Sequence, residues 1–119
     1  MQSENIKTRP DRVLSMLGIA AKAGKVVSGE FATENAVKAA KAFLVVIAAD
    51  ASENTAKKFR DMTDFYRVPL FVYGTKESLG GCIGEGYRSA LAVTDEKLAQ
   101  AVTNKIEQTK AFAAGVERI

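Results

Sequence analysis

One continuous apolar run constrains the fold more than any other feature of the chain. Phe43–Ala48 reads Phe-Leu-Val-Val-Ile-Ala, without the polar and apolar alternation of a half-exposed strand. Such a run is typical of a central strand that is covered on both faces. It falls well short of the roughly 18 apolar residues that suggest a membrane span. The sequence therefore predicts a layered α/β protein built around this strand.

The segments around this strand alternate between helical and extended patterns. The spacing of apolar residues predicts five helices, which begin near Thr8–Asp11, Glu30, Glu53, Thr75 and a cap at Thr94 or Asp95. The first four end near Gly24, Lys41, Arg67 and Ile83. Further strands are predicted at Lys25–Val27, Pro69–Tyr73 and Ser89–Val93. This order predicts a three-layer α/β/α sandwich with a central mixed four-stranded sheet.

The chain length fits one domain over residues 1–119, in which we expect residues 1–7 and 110–119 to be loose or fraying.

Two helices have faces that can be assigned from spacing. In the second helix the predicted buried stripe is Ala32 or Thr33, Ala36, Val37 and Ala40, and the opposite face carries Phe31, Asn35 and Lys38. In the third helix the predicted inner face is Ala56, Phe59, Met62, Thr63 and Tyr66.

The residue counts exclude much chemistry. The chain has no histidine and a single cysteine, Cys82, so His-paired nucleophiles, His–Cys zinc sites and imidazole acid–base catalysis are excluded. Asp50 follows the central strand, where a phospho-accepting aspartate would stand, but it lacks acidic neighbours, and capping of the next helix explains it better. We therefore expect no enzyme activity, no cofactor and no metal. Met1–Lys7 contains no apolar core of a secretion signal, so a cytoplasmic protein without membrane contact is expected.

Two glycine patterns resemble nucleotide-binding motifs without matching them. Gly18–Val26 separates its glycines by five residues, where a phosphate loop has four, and places Val26 at the hydroxyl position. Gly80–Gly86 does not have the dinucleotide spacing. Its glycines are predicted to allow helix–sheet packing and to end a helix, with Cys82 as a small buried side chain.

The turn Ala23–Gly29 and the helix that follows it form the candidate site. A helix that opens after Lys25, Ser28 and Gly29 points unpaired N–H groups outward beside a cation, which suits anionic ligands. Glu30 and Glu34 either satisfy the helix dipole or accept hydrogen bonds from guanine amino groups.

Residues 1–60 carry ten Lys and Arg against six Asp and Glu, a balance that suits nucleic acid. RNA is favoured over DNA because no groove-reading basic helix is present, and irregular RNA offers bases to stack on Phe31. The other expected contacts are Asn35 and Glu30 to base edges or sugar, and Lys22, Lys25 and Lys38 to phosphates.

As a set, several segments resemble the ribosomal-protein family of kink-turn binders, the L-seven-Ae / L-thirty-e group, and most of all its bacterial YlxQ-type members. The resemblance covers roughly Val13 to Ile106, and rests on Leu17–Ala20, Ala23–Gly29, Leu44–Ser52, Val68-Pro69, Leu79-Gly80, Ile83-Gly84 and Leu91–Asp95. It implies an α/β/α sandwich that grips a sharply bent RNA with the second helix's N-terminus and the loop before the last strand. Here that loop is Glu85–Ser89, which adds Tyr87, Arg88 and Ser89 to the expected RNA-binding residues.

The strong RNA binders of the family carry Gly-x-Asn-Glu-x-x-Lys at this helix, and the chain departs from that pattern. Only Gly29 is kept, and Phe31, Ala32 and Asn35 stand at the Asn, Glu and Lys positions. We therefore expect weaker binding of a standard kink-turn or a different structured RNA. Two alternatives stay open: a protein-interaction module with Phe31 in a weak homodimer, and a phosphoryl-transfer enzyme built on Asp50.

Overall fold

The computed structural model describes the backbone of residues 11–118 and the side chains of residues 11–110, which form five helices and four strands. The helices are α1 (Arg12–Lys22), α2 (Glu30–Lys38), α3 (Glu53–Tyr66), α4 (Lys76–Cys82) and α5 (Glu96–Arg118). The strands are β1 (Val26–Ser28), β2 (Leu44–Ile47), β3 (Leu70–Val72) and β4 (Ala90–Val93). The predicted alternation of helices and strands is confirmed. Of the tail, residues 110–118 extend α5, whereas residues 1–7 lie outside the described part of the chain.

The four strands form one mixed sheet in the order β1-β4-β2-β3. β2 and β3 are parallel, with Val45 opposite Leu70, and β4 runs antiparallel to both β1 and β2. β1 and β3 are therefore the edge strands, and the apolar β2 lies inside the sheet, as predicted.

Helices cover both faces of the sheet because side chains of β2 alternate between them. Leu44 and Val46 pack with α1, α4 and α5 on one face, and Val45 and Ile47 pack with α2 and α3 on the other. Phe59 is fully buried in this second layer. Burial of a side chain of this size stabilises the folded chain by roughly 1.5–3 kcal/mol. The layer formed by α2 and α3 therefore contributes to stability together with the layer on the other face.

Side-chain caps fix where most helices begin. Asp11 accepts the Leu14 N–H and caps α1, so the cap is Asp11, while Thr8 lies outside the described residues. Of the two predicted caps for α5, Asp95 accepts the N–H of Leu98 at 2.9 Å. Ser52 accepts the N–H of Thr55 and caps α3.

The prediction that Asp50 caps α3 is wrong. Its Oδ1 instead accepts the N–H of Lys76, the first residue of α4, at 2.8 Å, while Thr75 is the N-cap of that helix. The carboxylate joins the end of β2 to the start of α4, a structural task that uses one of its oxygens.

Two other predictions need correction. α2 ends at Lys38 rather than Lys41, because the chain reverses through Ala40 at φ 60°, and Ala40 is exposed instead of buried. In α3, Tyr66 is exposed and Thr55 is buried in its place. Thr55 is covered because its hydroxyl bonds to Glu30 of α2.

Candidate functional site

The N-terminus of α2 (Ser28–Phe31) is an open helix end held by the sheet. Gly29 has φ 93° and ψ 156°, a conformation essentially restricted to glycine, and its N–H donates to Ala90 O at 2.9 Å. Among the residues that the structure describes, no side chain caps this helix. Since the first N–H groups of a helix have no intrahelical acceptors, those of the α2 N-terminus are free to meet a ligand with negative charge or acceptor atoms.

The loop before β4 (Glu85–Ser89, the β4 loop) lies against this helix end. Arg88 Nε donates to Ser28 Oγ at 3.0 Å, Nη1 donates to Tyr87 O at 2.9 Å, and Nη2 pairs with a Glu85 oxygen at 2.9 Å. These bonds use three of the five guanidinium N–H groups and leave the others open. The α2 N-terminus and the β4 loop, about sixty residues apart in sequence, therefore form one surface.

Close packing on α4 positions the β4 loop. Glu85 N–H donates to Gly80 O at 2.8 Å, and Arg88 N–H donates to Lys76 O at 3.0 Å. A Cβ on Gly80 would lie 1.3 Å from Gly86 O. The prediction that these glycines allow helix–sheet packing is therefore wrong for Gly80, whose close neighbour is the loop. Gly84, at φ 80°, follows the last turn of α4, as expected of a helix-ending glycine.

Two carboxylates of α2 are tied to a lysine of α3. Glu30 accepts from Thr55 Oγ1 at 2.8 Å and Ser89 Oγ at 3.3 Å, and its other oxygen lies 3.1 Å from Lys58 Nζ. These contacts, that with Thr55 above all, lower the pKa of Glu30. Protein donors therefore already occupy both oxygens of this carboxylate.

The second carboxylate, Glu34, lies between two ammonium groups. Its oxygens are 2.8 Å from Lys38 Nζ and 3.5 Å from Lys58 Nζ. The bond from Lys38 is the largest cause that lowers the pKa of Glu34, and Glu34 in turn raises the pKa of Lys38. The bond to Glu30 is likewise the largest cause that raises the pKa of Lys58.

The predicted residues divide into separate groups. The structure brings together those of the α2 N-terminus and the β4 loop, which are Ser28, Gly29, Glu30, Phe31, Tyr87, Arg88 and Ser89. Lys25 lies at the opposite end of β1, where its carbonyl accepts the Thr94 N–H at 2.8 Å, and Lys22 ends α1 nearby. Lys38 ends α2, about 12 Å along the helix from Glu30.

Phe31 and Asn35 face a groove between α2 and the edge strand β1 (the α2–β1 groove). Its volume is about 330 Å³, and its apolar walls come from Val27, from Ala32 and Ala36 of α2, and from Ala39, which follows that helix. Lys41 and Thr94 line its far end. Phe31 is 80% exposed, the most exposed of the large hydrophobic side chains in the described part of the chain.

Sequence reasoning missed Thr55, Lys58 and Lys41. Lys58 is one of many surface lysines by sequence, and only the packing of α3 on α2 brings its ammonium group to Glu30. The sequence predicts Lys41 as the last residue of the second helix, whereas in the structure it follows the turn at Ala40. No local pattern marks either position.

Other chemistry has little support in residues 11–110. No group of three His, Cys, Asp or Glu among them could hold a metal ion. Within the described chain, no helix is both long and apolar enough to cross a membrane. Cys82 is half-buried, and burial raises the pKa of its thiol to about 11, which disfavours a reactive thiolate.

A family model and two sequence relatives are similar to most of this chain. Residues 11–103 match the model of the ribosomal protein L7Ae/L30e/S12e/Gadd45 family. The chain is 39% identical to the RNA-binding protein YlxQ of Bacillus subtilis over 92 residues, which cover 77% of this chain and 92% of that protein. It is 33% identical to the RNA-binding protein YlxQ of Enterococcus faecium over 96 residues, 81% of this chain and 92% of that protein.

Solved structures agree with this fold. A Bacillus halodurans protein with unknown function has a TM-score of 0.80 and 32% identity, covering 82% of this chain and 99% of its own. The Giardia lamblia 15.5kD RNA binding protein has a TM-score of 0.71 at 21% identity, covering 84% of this chain and 86% of its own, and shows the shared fold. With a family model matched over most of its length and two relatives above 30% identity, the chain belongs to the ribosomal protein L7Ae/L30e/S12e/Gadd45 family.

Proposed function

We propose that this chain is a non-enzymatic, ribosomal-protein-like RNA-binding protein of the cytoplasm, which recognises a kink-turn or a similarly bent structured RNA. The observation that carries the proposal is the single surface made by the α2 N-terminus and the β4 loop. The Gly29 N–H donates a hydrogen bond to the Ala90 carbonyl, and the Arg88 guanidinium donates one to the Ser28 hydroxyl. The uncapped N–H groups of α2 therefore lie beside a guanidinium group. The names of the YlxQ relatives, which are RNA-binding proteins, support the same ligand.

The surface offers both kinds of contact that irregular RNA needs. Backbone N–H groups after Gly29 and the open N–H groups of Arg88 can bind phosphate or base acceptors. The exposed ring of Tyr87, 69% accessible, can stack on a base that the RNA bend has turned outward. The hydroxyls of Ser28 and Ser89 add polar groups to the same surface, where they bond to Arg88 and Glu30. The family's base-reading Asn and Glu are replaced, so contacts to the RNA backbone gain importance.

The remaining predicted residues have more distant roles in this proposal. Glu30 holds Lys58 in place and retains only limited acceptor capacity for a base edge or sugar. Asn35 lies one turn beyond Phe31 on the same side of α2. Lys22, Lys25 and Lys38 would meet phosphates of RNA that continues past the α2 N-terminus toward the other end of the sheet.

Binding to a fluorescent kink-turn RNA tests the proposal, with a straight duplex of the same composition as the reference ligand. We expect the kink-turn to bind more tightly than the duplex. Arg88→Ala should weaken kink-turn binding about tenfold, because it removes a cation and the bond from the β4 loop to Ser28. Arg60→Ala, which removes an arginine from the exposed side of α3, is the matched control and should bind like the wild type. Equal affinity for both RNAs, or equal loss in both variants, would contradict the proposal.

A protein-interaction module is the second candidate, because a phenylalanine as exposed as Phe31 beside an apolar groove also suits a dimer contact. Light scattering without RNA separates the two functions. A homodimer that becomes a monomer in Phe31→Ala would favour this candidate, and a wild-type monomer would contradict it.

A further inference from the structure

We propose that the α2–β1 groove is a second RNA subsite, which holds one unpaired nucleotide of an RNA bound at the α2 N-terminus. The inference rests on the proposed function and extends the RNA surface from Phe31, the last residue of the α2 N-terminus, to residues beyond it such as Asn35 and Lys41. The base would stack on Phe31, the Asn35 amide would read its edge, and Lys41 would bind its phosphate.

The shape and the lining of the groove fit this ligand. Its volume of about 330 Å³ is at the small end of the range for small-molecule sites, roughly 300–1,000 Å³, which suits a single nucleotide. The walls are apolar, from Val27 and the alanines of α2, and polar groups come from Asn35, Thr94 and Lys41. Apolar walls with a few polar groups are the usual surroundings of a bound base.

The ring of Phe31 is available for stacking. It is 80% exposed, and it belongs to the first turn of α2, so the groove begins where the proposed RNA surface ends. An RNA strand that leaves that surface can enter the groove without crossing another element. Aromatic stacking accepts any base, because every base has a π face.

Charge favours a nucleotide over an apolar peptide segment. No carboxylate lines the groove, and neither Lys41 nor Lys25, which adjoins Thr94, forms an ion pair with another residue among those described. Three acids adjoin lining residues in sequence, and each is engaged elsewhere: Glu30 and Glu34 pair with lysines, and Asp95 accepts the N–H of Leu98. The cations near the α2 N-terminus, in contrast, are paired with carboxylates. The lysines at the far end of the groove are therefore the ones that a phosphate can reach without displacing an acid.

The test uses two forms of one kink-turn RNA: a blunt form, and a form extended by four unpaired uridines at either its 5′ or its 3′ end. We expect the wild type to bind one extended form about tenfold more tightly than the blunt form, the gain from stacking one base. Lys41→Gln should remove most of this gain and leave blunt binding within twofold, and Phe31→Ala should remove the gain whatever its effect on blunt binding. Phe65→Ala is the matched control, since Phe65 is 78% exposed on α3, and it should keep the gain.

Each other outcome overturns the inference in a different way. If blunt and extended RNA bind equally, the groove holds no nucleotide, while the proposed function stands. If the gain persists in Phe31→Ala and Lys41→Gln, the extension binds elsewhere. If no form binds above the level of a straight duplex, the proposed function fails together with the subsite. If light scattering shows a dimer that Phe31→Ala dissociates, a second copy of the chain is the occupant.

Discussion

A methyl group added at Gly80 tests how the β4 loop is positioned. In Gly80→Ala the new Cβ would stand 1.3 Å from Gly86 O, against an ordinary contact of 3.4–4 Å, so the loop must move by about 2 Å. Overpacking of this kind costs about 1–3 kcal/mol, and loss of the Glu85–Gly80 hydrogen bond costs about 1 kcal/mol more. The better helix propensity of alanine returns about 1 kcal/mol. We therefore expect the free energy of unfolding to fall by about 1–3 kcal/mol.

The neighbouring glycine provides the matched control. A Cβ on Gly81 meets no atom within 4 Å, so Gly81→Ala should keep or raise the free energy of unfolding. Urea unfolding measures both variants, and anisotropy with the kink-turn RNA measures binding. A displaced β4 loop moves Arg88, so Gly80→Ala should bind RNA about tenfold more weakly, whereas Gly81→Ala should bind like the wild type. Equal stability of the two variants would refute the packing argument, and lost stability with unchanged RNA affinity would exclude the β4 loop from the interface.

Three further predictions concern single groups of the fold. The pKa of Glu30 is lowered in the folded chain, so its contribution is present above the ordinary value of 4.5 and lost as the pH falls through the lower folded pKa. Glu30→Gln should therefore be less stable than the wild type at pH 7, by under about 1 kcal/mol for so exposed a group, and the urea midpoints should converge under acid conditions. Thr33 is fully buried, and its hydroxyl has no hydrogen-bond partner among the described residues. Thr33→Val should therefore raise the free energy of unfolding, measured in urea, by about 1 kcal/mol, and a variant less stable than the wild type would contradict this. With its pKa at about 11 instead of 9.0, Cys82 has about a hundredfold less thiolate at pH 8, so alkylation by iodoacetamide should be slow in the native protein and fast in urea, and equal rates would contradict this.

Much of the fold could be predicted because it depends on local patterns. The apolar run Phe43–Ala48 indicates a fully buried strand, and the caps Ser52 and Asp95 mark the starts of α3 and α5. The errors arise where tertiary packing decides. Ala40 adopts φ 60° without a glycine to signal the turn.

The candidate site was only half visible in the sequence. The α2 N-terminus follows from Gly29 and its neighbours, but the β4 loop came from resemblance to a family, because no pattern links residues 85–89 to α2. Lys25 is four residues from Gly29, yet an extended strand separates them by about 13 Å, so sequence proximity misplaced it. Lys58 of α3 contacts Glu30 of α2, and only the packing of these two helices reveals that contact.

The arrangement of charge indicates which contacts dominate at the proposed RNA surface. Lys38 and Lys58 each face a carboxylate, so a phosphate that reaches either must displace an acid and gains little net attraction, whereas Arg88 keeps two open N–H groups beside its pair with Glu85. The N–H groups after Gly29 are bonded to no side chain in the described part of the chain. Recognition should therefore depend on the shape of the helix end and its backbone donors more than on lysines. This accounts for how the chain can retain the family's glycine, the one residue that sets this backbone, while Asn35 stands where the strong RNA binders have lysine.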